Sequence, residues 1–145
     1  MPEQETIDRA REDAREGKSA STQAGEFVKE EFDHVREGKH GARSPQQAIA
    51  IGLSKARRAG VKLAPPKGSA SLRKKAEQDS AAGEKPRHRT SRARSRATSK
   101  ALKRESKSSA SHSAISKQAK KSAAKRSKPA RSAAARKAAR PRKAA

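Results

Sequence analysis

The sequence predicts a mainly α protein: a small two- to three-helix N-terminal module followed by a long disordered basic tail. Three observations lead there. Apolar residues recur at helical spacing only up to residue 64, and just three large ones (Leu72, Leu102 and Ile115) lie beyond it. Phe, Ile, Leu and Val together number 13 of 145 residues, far below the level of roughly 20% under which disorder is expected. Charge divides as sharply: residues 1–64 hold 12 Lys and Arg against 11 Asp and Glu, whereas residues 65–145 hold 26 against four, so nearly all of the net +23 sits in the second part. A segment so poor in apolar side chains has little to offset the roughly 1–2 kcal/mol per residue needed to order its backbone. The expected division is a helical module over 1–64, a linker over 65–84 and a disordered Lys/Arg/Ala/Ser-rich tail over 85–145.

Residues 3–16 predict a short polar helix. Glu3 and Glu5 suit its positive end, Glu5 and Arg9 are four residues apart, and Gly17 is placed to stop it. Its apolar stripe is only Ile7, Ala10 and Ala14, so it needs a partner. The second helix is expected over 22–37, where Ala24, Phe27, Val28, Phe32 and Val35 fall on one arc and Gly38 ends the run. Its solvent face would carry Glu26, Glu30, Asp33 and Glu37 with Lys29 and Arg36, a face that phosphate repels. The third helix, over 45–59, has the strongest signals: Ser44 as N-cap, Pro45 at the first position and Gln47 at the third, a capping-box arrangement. Ala48, Ile49, Gly52, Leu53, Ala56 and Ala59 line its core face, Gly60 terminates it, and Val61 can fold back on the last turn. Gln46, Gln47, Ala50, Ser54, Arg57 and Arg58 lie opposite, with Lys55 at the edge and Ile51 out of place, a mark for a weak homodimer contact through the module.

Arg15-Glu16-Gly17-Lys18 recurs as Arg36-Glu37-Gly38-Lys39, each followed by a capped helix start, Ser21-Thr22 and then Ser44-Pro45. Two copies are too few for a solenoid and read as a way of joining three short helices. After Pro65-Pro66, Leu72–Asp79 has two turns' worth of helix signal. Beyond it Pro86, Pro129 and Pro141 interrupt any long helix, and the Ala-rich stretches 111–127 and 130–139 have helix propensity that repulsion between Lys and Arg opposes. Neutralising those charges on phosphates predicts a coil-to-helix shift.

Composition excludes several classes of function. With no Cys, there is no disulfide, thiolate metal site or cysteine nucleophile. No basic start with an apolar run, and no apolar run near the roughly 18 residues of a membrane span, points to a signal or membrane segment, so the expectation is a cytoplasmic protein without a membrane partner. No nucleophile–base pattern or phosphate-binding glycine loop occurs, and neither an enzyme, a small-molecule substrate nor a cofactor is expected. His34 and His40 would straddle a helix end, poor geometry for a metal.

What remains is the cationic half. As a flexible chain it reaches about 50 Å, the length of duplex carrying roughly 30 phosphates. The expected function is non-specific, histone-like, nucleoid-associated DNA binding through phosphate neutralisation, with an RNA- or ribosome-associated basic protein, or a stress-related disordered interaction protein, as the alternatives. The residues expected to contact nucleic acid are, in the module, Lys39, Arg43, Lys55, Arg57 and Arg58. At the head of the tail they are Lys85, Arg87, Arg89, Arg92, Arg94 and Arg96. Farther along come Lys103, Arg104, Lys120, Lys121, Lys125 and Arg126, then Lys128, Arg131, Arg136, Lys137, Arg140, Arg142 and Lys143. Lys85-Pro86-Arg87, Ser127-Lys128-Pro129 and Arg140-Pro141-Arg142 would suit a narrow minor groove, although the glycine of an AT-hook core is absent. Thr90-Ser91-Arg92-Ala93-Arg94-Ser95-Arg96 has the look of phosphoacceptor sites in basic context. The eleven acids of the module suggest that they hold the tail when nucleic acid is absent.

The stretch His34–Leu63, HVREGKHGARSPQQAIAIGLSKARRAGVKL, with the Thr22–Phe27 lead-in, resembles the core of a family of small bacterial proteins grouped as a domain of unknown function. The resemblance covers roughly residues 1–66 and implies no activity. The tail is similar in composition to linker-histone tails and to the basic tails of bacterial nucleoid proteins.

Overall fold

A computed structural model describes residues 2–85 and 91–139 of the chain, and among these the secondary structure is helical, with no strand. In order the elements are α1 (Gln4–Arg15), α2 (Ala20–Glu37), α3 (Pro45–Arg58), α4 (Ala70–Glu84), α5 (Arg92–Lys103), a 3₁₀ turn (Ser108–Ala110), α6 (His112–Ala124) and α7 (Lys128–Ala139). The mainly α class thus holds, but helices run through the segments expected to be linker and disordered tail.

Caps set the boundaries of the module. Ser19, three residues before the expected start, opens α2 by accepting the Thr22 amide at 3.3 Å. Gly38 closes it in the left-handed region at φ 79°, and the Lys39 amide returns to the His34 carbonyl at 3.0 Å. Ser44 opens α3 by accepting the Gln47 amide at 3.3 Å, and the Gln47 side chain accepts the Arg43 amide at 2.7 Å. At the far end Gly60, φ 95°, lets the Val61 amide reach the Ala56 carbonyl at 3.0 Å.

α2 is the central element, flanked by α1 and α3. It crosses α3 at Gly52, where an added Cβ would stand 2.7 Å from the Val28 Cα, so only glycine permits the approach. Two apolar clusters lie along the seam. One holds Phe27, Ala24, Ala10 and Ala56, with Ile7, Leu53, Val61 and Leu63 against it. The other holds Phe32, Val35, Ala42, Ala48 and Ala110, with Val28, Ile49 and Ile115 against it.

Polar side chains fill the rest of the seam, and here the expected faces need correction. Glu30 is buried rather than facing solvent, because α1 and α3 close over that side of α2. Lys55, from the edge of α3, places its ammonium 2.9 Å from Glu30 and 2.8 Å from Glu31. Burial pushes the Glu30 carboxyl up, but Lys55, Thr6 and the Glu3 amide more than offset it and leave it below its usual value. Burial likewise lowers the Lys55 ammonium, and the Glu31 and Glu30 carboxylates outweigh it, so the net shift is upward. In α1 the buried positions are Thr6, Ala10 and Asp13, while Ala14 is exposed. Asp13 turns inward because Lys18 meets it at 2.6 Å beyond the Gly17 turn.

α4 packs on the face of α3 expected to meet solvent. Its hub is Asp79, 3% exposed, which accepts Ser54 Oγ at 2.8 Å and Arg58 Nη2 at 2.8 Å and pairs with Lys75 at 2.6 Å. Burial raises the Asp79 carboxyl, and Lys75, Ser54 and Arg58 together hold it below the usual aspartate value. Gly83 lets the end of α4 approach the Arg57 and Arg58 carbonyls, 2.7 and 3.0 Å from where a Cβ would sit. Ile51 is half-buried within the single chain.

The start of the tail is also docked. The Gly41 amide donates to the Leu102 carbonyl at 2.9 Å and the Ala42 amide to the Ser106 carbonyl at 3.0 Å, bringing α5's end against the loop after α2. Ala110, 2% exposed, enters the Phe32–Val35 cluster, and the Arg36 Nε donates to its carbonyl at 3.3 Å. Ile115 follows from α6, and Gln46 donates to Gln118 at 2.6 Å. Residues 102–118 are therefore ordered by the module's core, a route that the tail's own composition does not reveal.

Candidate nucleic-acid interface

Beyond the docked segment the tail is built from residues that favour helix locally. Ala, Arg and Lys have high helix propensity, and serines cap two of the three tail helices. Ser111 accepts the Ala114 amide at 3.2 Å at the head of α6, and Ser127 accepts the Ala130 amide at 3.4 Å at the head of α7. Pro129 sits in the first turn of α7, where an amide proton has no helical partner to lose. The Ser127-Lys128-Pro129 motif is consequently a helix start rather than an extended strand for a minor groove.

These helices carry an unbroken series of cations. Between Arg92 and Lys137 there are sixteen Lys and Arg and one acid, Glu105, and all sixteen are exposed. Among the described residues none of the sixteen lies within 4.0 Å of a carboxylate. On α5, Arg92, Arg96, Lys100 and Arg104 follow one another at intervals of four, a cation every ~6 Å of helix. A shallow open groove beside them is lined by Ser95, Arg96, Ser99, Lys100, Lys103 and Arg104. A second, on α7, is lined by Lys128, Pro129, Ser132, Ala133 and Arg136. Charge, hydroxyl donors and openness suit an anionic polymer lying along the helix and give no enclosed place for a small substrate.

The five module residues expected at the interface are placed differently. Lys55 is tied to Glu30 and Glu31, Arg57 is buried, and Arg58 is held by Asp79. Lys39 is half-exposed and shared between Glu3 at 2.9 Å and Glu37 at 3.1 Å, and these carboxylates raise its ammonium above the usual lysine value. Arg43 is the one turned out to solvent, 80% exposed, with Glu105 4.0 Å away. Gln46 and Gln47 are both engaged within the chain.

In the tail, Lys85, Arg92, Arg94, Arg96, Lys103, Arg104, Lys120, Lys121, Lys125, Arg126, Lys128, Arg131, Arg136 and Lys137 are exposed. Arg87, Arg89, Arg140, Arg142 and Lys143 lie outside the described residues. Lys100, Lys107 and Lys117 belong to the same surface and were missing from the expected set; for Lys100 the four-residue spacing from Arg96 was the available signal. The acids of the module are paired with the module's own cations, as in Glu5–Arg9, Asp13–Lys18 and Asp33–Arg36, rather than with the tail.

Among the described residues no helix is long and apolar enough to cross a membrane. No curated protein and no solved structure matches the chain significantly. Residues 15–68, from the end of α1 through α2 and α3 to the turn before α4, match the model of a family of unknown function (DUF6496).

Proposed function

We propose that the protein is a non-specific, histone-like DNA-binding protein of the nucleoid, whose α5–α7 surface neutralises phosphates while the module anchors it. One observation carries this reading: sixteen exposed Lys and Arg without an intramolecular carboxylate partner among the described residues, next to a module in which eight of twelve cations are paired with a carboxylate. Cations left uncompensated gain most by releasing the counterions condensed on a phosphate polymer. If about ten phosphates are neutralised, log K falls with log salt at a slope of about −9. Sequence discrimination is slight, since phosphate contacts orient without specifying bases. α7 makes no hydrogen bond or ion pair to another element among the described residues, so its helix rests on propensity and its Ser127 cap and gains helicity when phosphates cancel its repulsion.

Anisotropy of a labelled 30-base-pair duplex, titrated with the full chain at 50 and 200 mM salt, tests this. Affinity should drop by several orders of magnitude between the two, and R92Q/R96Q/K100Q/K103Q/R104Q should flatten the slope by about 4 to 5 without lowering the melting temperature. Weak association indifferent to salt would overturn the proposal. Recovery from lysate distinguishes its alternatives: release by DNase supports it, release by RNase moves the same surface to A-form phosphates, and release by neither leaves a protein-interaction role.

A further inference from the structure

A second polar site lies under the C-terminus of α2, beside the loop on which the start of the tail docks. Glu31 and His34 are three residues apart and so share one side of the helix. The left-handed turn at Gly38 then folds the chain back and brings His40 beneath them. One ligand atom from each of Glu31, His34 and His40 lies within 4.8 Å of the other two, so the histidines expected to straddle the helix end are in fact brought together.

Three features of this cluster ask for a cation. Glu31 is 1% exposed, and although Lys55 and His40 touch its two oxygens, neither oxygen receives an aligned hydrogen bond. Two buried carboxylates, Glu30 and Glu31, share the single ammonium of Lys55, which leaves one negative charge facing the histidines. Finally, His40 Nδ1 is 3.0 Å from the Gly41 carbonyl, which can only accept; Nδ1 therefore carries the proton, and in the neutral ring Nε2 presents its lone pair 3.2 Å from Glu31 Oε1. Two acceptors facing each other repel unless something positive lies between them. Ligands about 2.0–2.1 Å from a tetrahedral zinc stand roughly 3.3–3.4 Å from each other, which is close to this spacing.

We propose that Glu31, His34 and His40 form a binding site for a divalent transition metal, zinc in the first instance, with three protein ligands and one open position. The backbone carbonyl of Gly41 fixes the His40 tautomer, and Glu3, whose Oε1 is 2.9 Å from His34 Nε2, orients the other ring; such outer partners commonly hold ligating histidines. The His34 and His40 side chains are 12% and 16% exposed, which leaves an entry path from solvent. Bound metal would tie the loop 38–43 to α2, because one ligand comes from the loop and two from the helix.

The full chain, stripped with chelator, is titrated with zinc chloride and with magnesium chloride by calorimetry and thermal melting. One zinc per chain and a melting temperature several degrees higher are expected, with no response to magnesium. Binding should survive in H88Q/H112Q, which removes the other two histidines. It should weaken at least 100-fold in E31Q, H34Q and H40Q, and about tenfold in E3Q. Because Glu31 is buried, helix content is compared by circular dichroism, and the more accessible H34Q and H40Q carry the result if E31Q unfolds. Cobalt in place of zinc should give the visible bands of a tetrahedral site, absent in H40Q. No zinc uptake, or uptake that persists in H34Q/H40Q and disappears in H88Q/H112Q, would overturn the assignment.

Discussion

Lys55 and Lys100 are the same residue type in two regions with opposite electrostatic arrangements. Lys55 is fixed between two buried carboxylates in a seam where helices meet, and its charge serves the fold. Lys100 stands on α5 with Arg96 and Arg104 one turn to either side and no carboxylate within 4.0 Å among the described residues. The first 64 residues are nearly balanced in charge and use it internally; the tail holds an excess that has no internal use. A cation's function is thus decided by its neighbours, and a count of basic residues overstates the part of the module that is free to meet a polyanion.

Truncation after Glu84 strikes this contrast hardest. Removing the tail should reduce affinity for duplex DNA at least 100-fold at 50 mM salt, read by anisotropy, while the remaining chain keeps most of its helix by circular dichroism. Retained affinity would mean that the module's cations do the binding. Phe27→Ala attacks the other region: Phe27 is fully buried, and its loss should destabilise the module by about 3–5 kcal/mol in urea denaturation while leaving the salt slope of DNA binding unchanged.

Asp79→Asn is a smaller perturbation. It removes the charge on which Arg58, Lys75 and Ser54 converge, and because Arg58 and Lys75 are each 55% exposed and screened, the loss should be about 1–2 kcal/mol, with hydrogen exchange rising in residues 70–84 before the remainder of the module. Acid should act on the same groups. Glu30 and Asp79 are held below their ordinary values of 4.5 and 3.8, and Glu3 is brought down to about 2 by Lys39 and His34. Depressed carboxyls contribute stability above their unfolded values and lose it as pH falls through the folded ones. Lys55 is raised above 10.5, so its contribution is present below that value and is lost as pH rises past the folded one. Melting temperature should therefore hold level from about pH 5 to 10 and fall on both sides, and D79N should soften the acid fall.

Gly41→Ala should have the smallest effect on global stability and the most local one. A methyl group there would overlap the Glu105 carbonyl, so exchange protection should drop across residues 102–111 while α1–α3 keep theirs.

Caps and apolar spacing place helices at 3–16, 22–37 and 45–59 in the sequence, against Gln4–Arg15, Ala20–Glu37 and Pro45–Arg58 in the structure. These elements were legible because serine caps, terminal glycines and Phe, Val and Ile side chains mark them directly. α4 was legible only as two turns over Leu72–Asp79, and its docking on α3 was not, because Asp79 holds it through charge and hydrogen bonds, and a hydrophobic pattern does not register an aspartate as an anchor. Ala110 escaped because an alanine among alanines carries no mark of burial, and its place in the core depends on the Gly41 and Ala42 amides capturing the chain at Leu102 and Ser106. The tail's exposed cations could be read from composition. The meeting of Glu31, His34 and His40 could not, since it depends on the chain reversal at Gly38.

The clasp between the Gly41–Ala42 amides and the Leu102 and Ser106 carbonyls also fixes where mechanical load enters the protein. If the tail holds a long polymer as proposed, tension on α6 or α7 passes into the loop below α2 and is resisted there by the packed Ala110. The prolines at 65 and 66 and α4 lie off this line of force, so α4 stays seated on α3 while the clasp bears the strain.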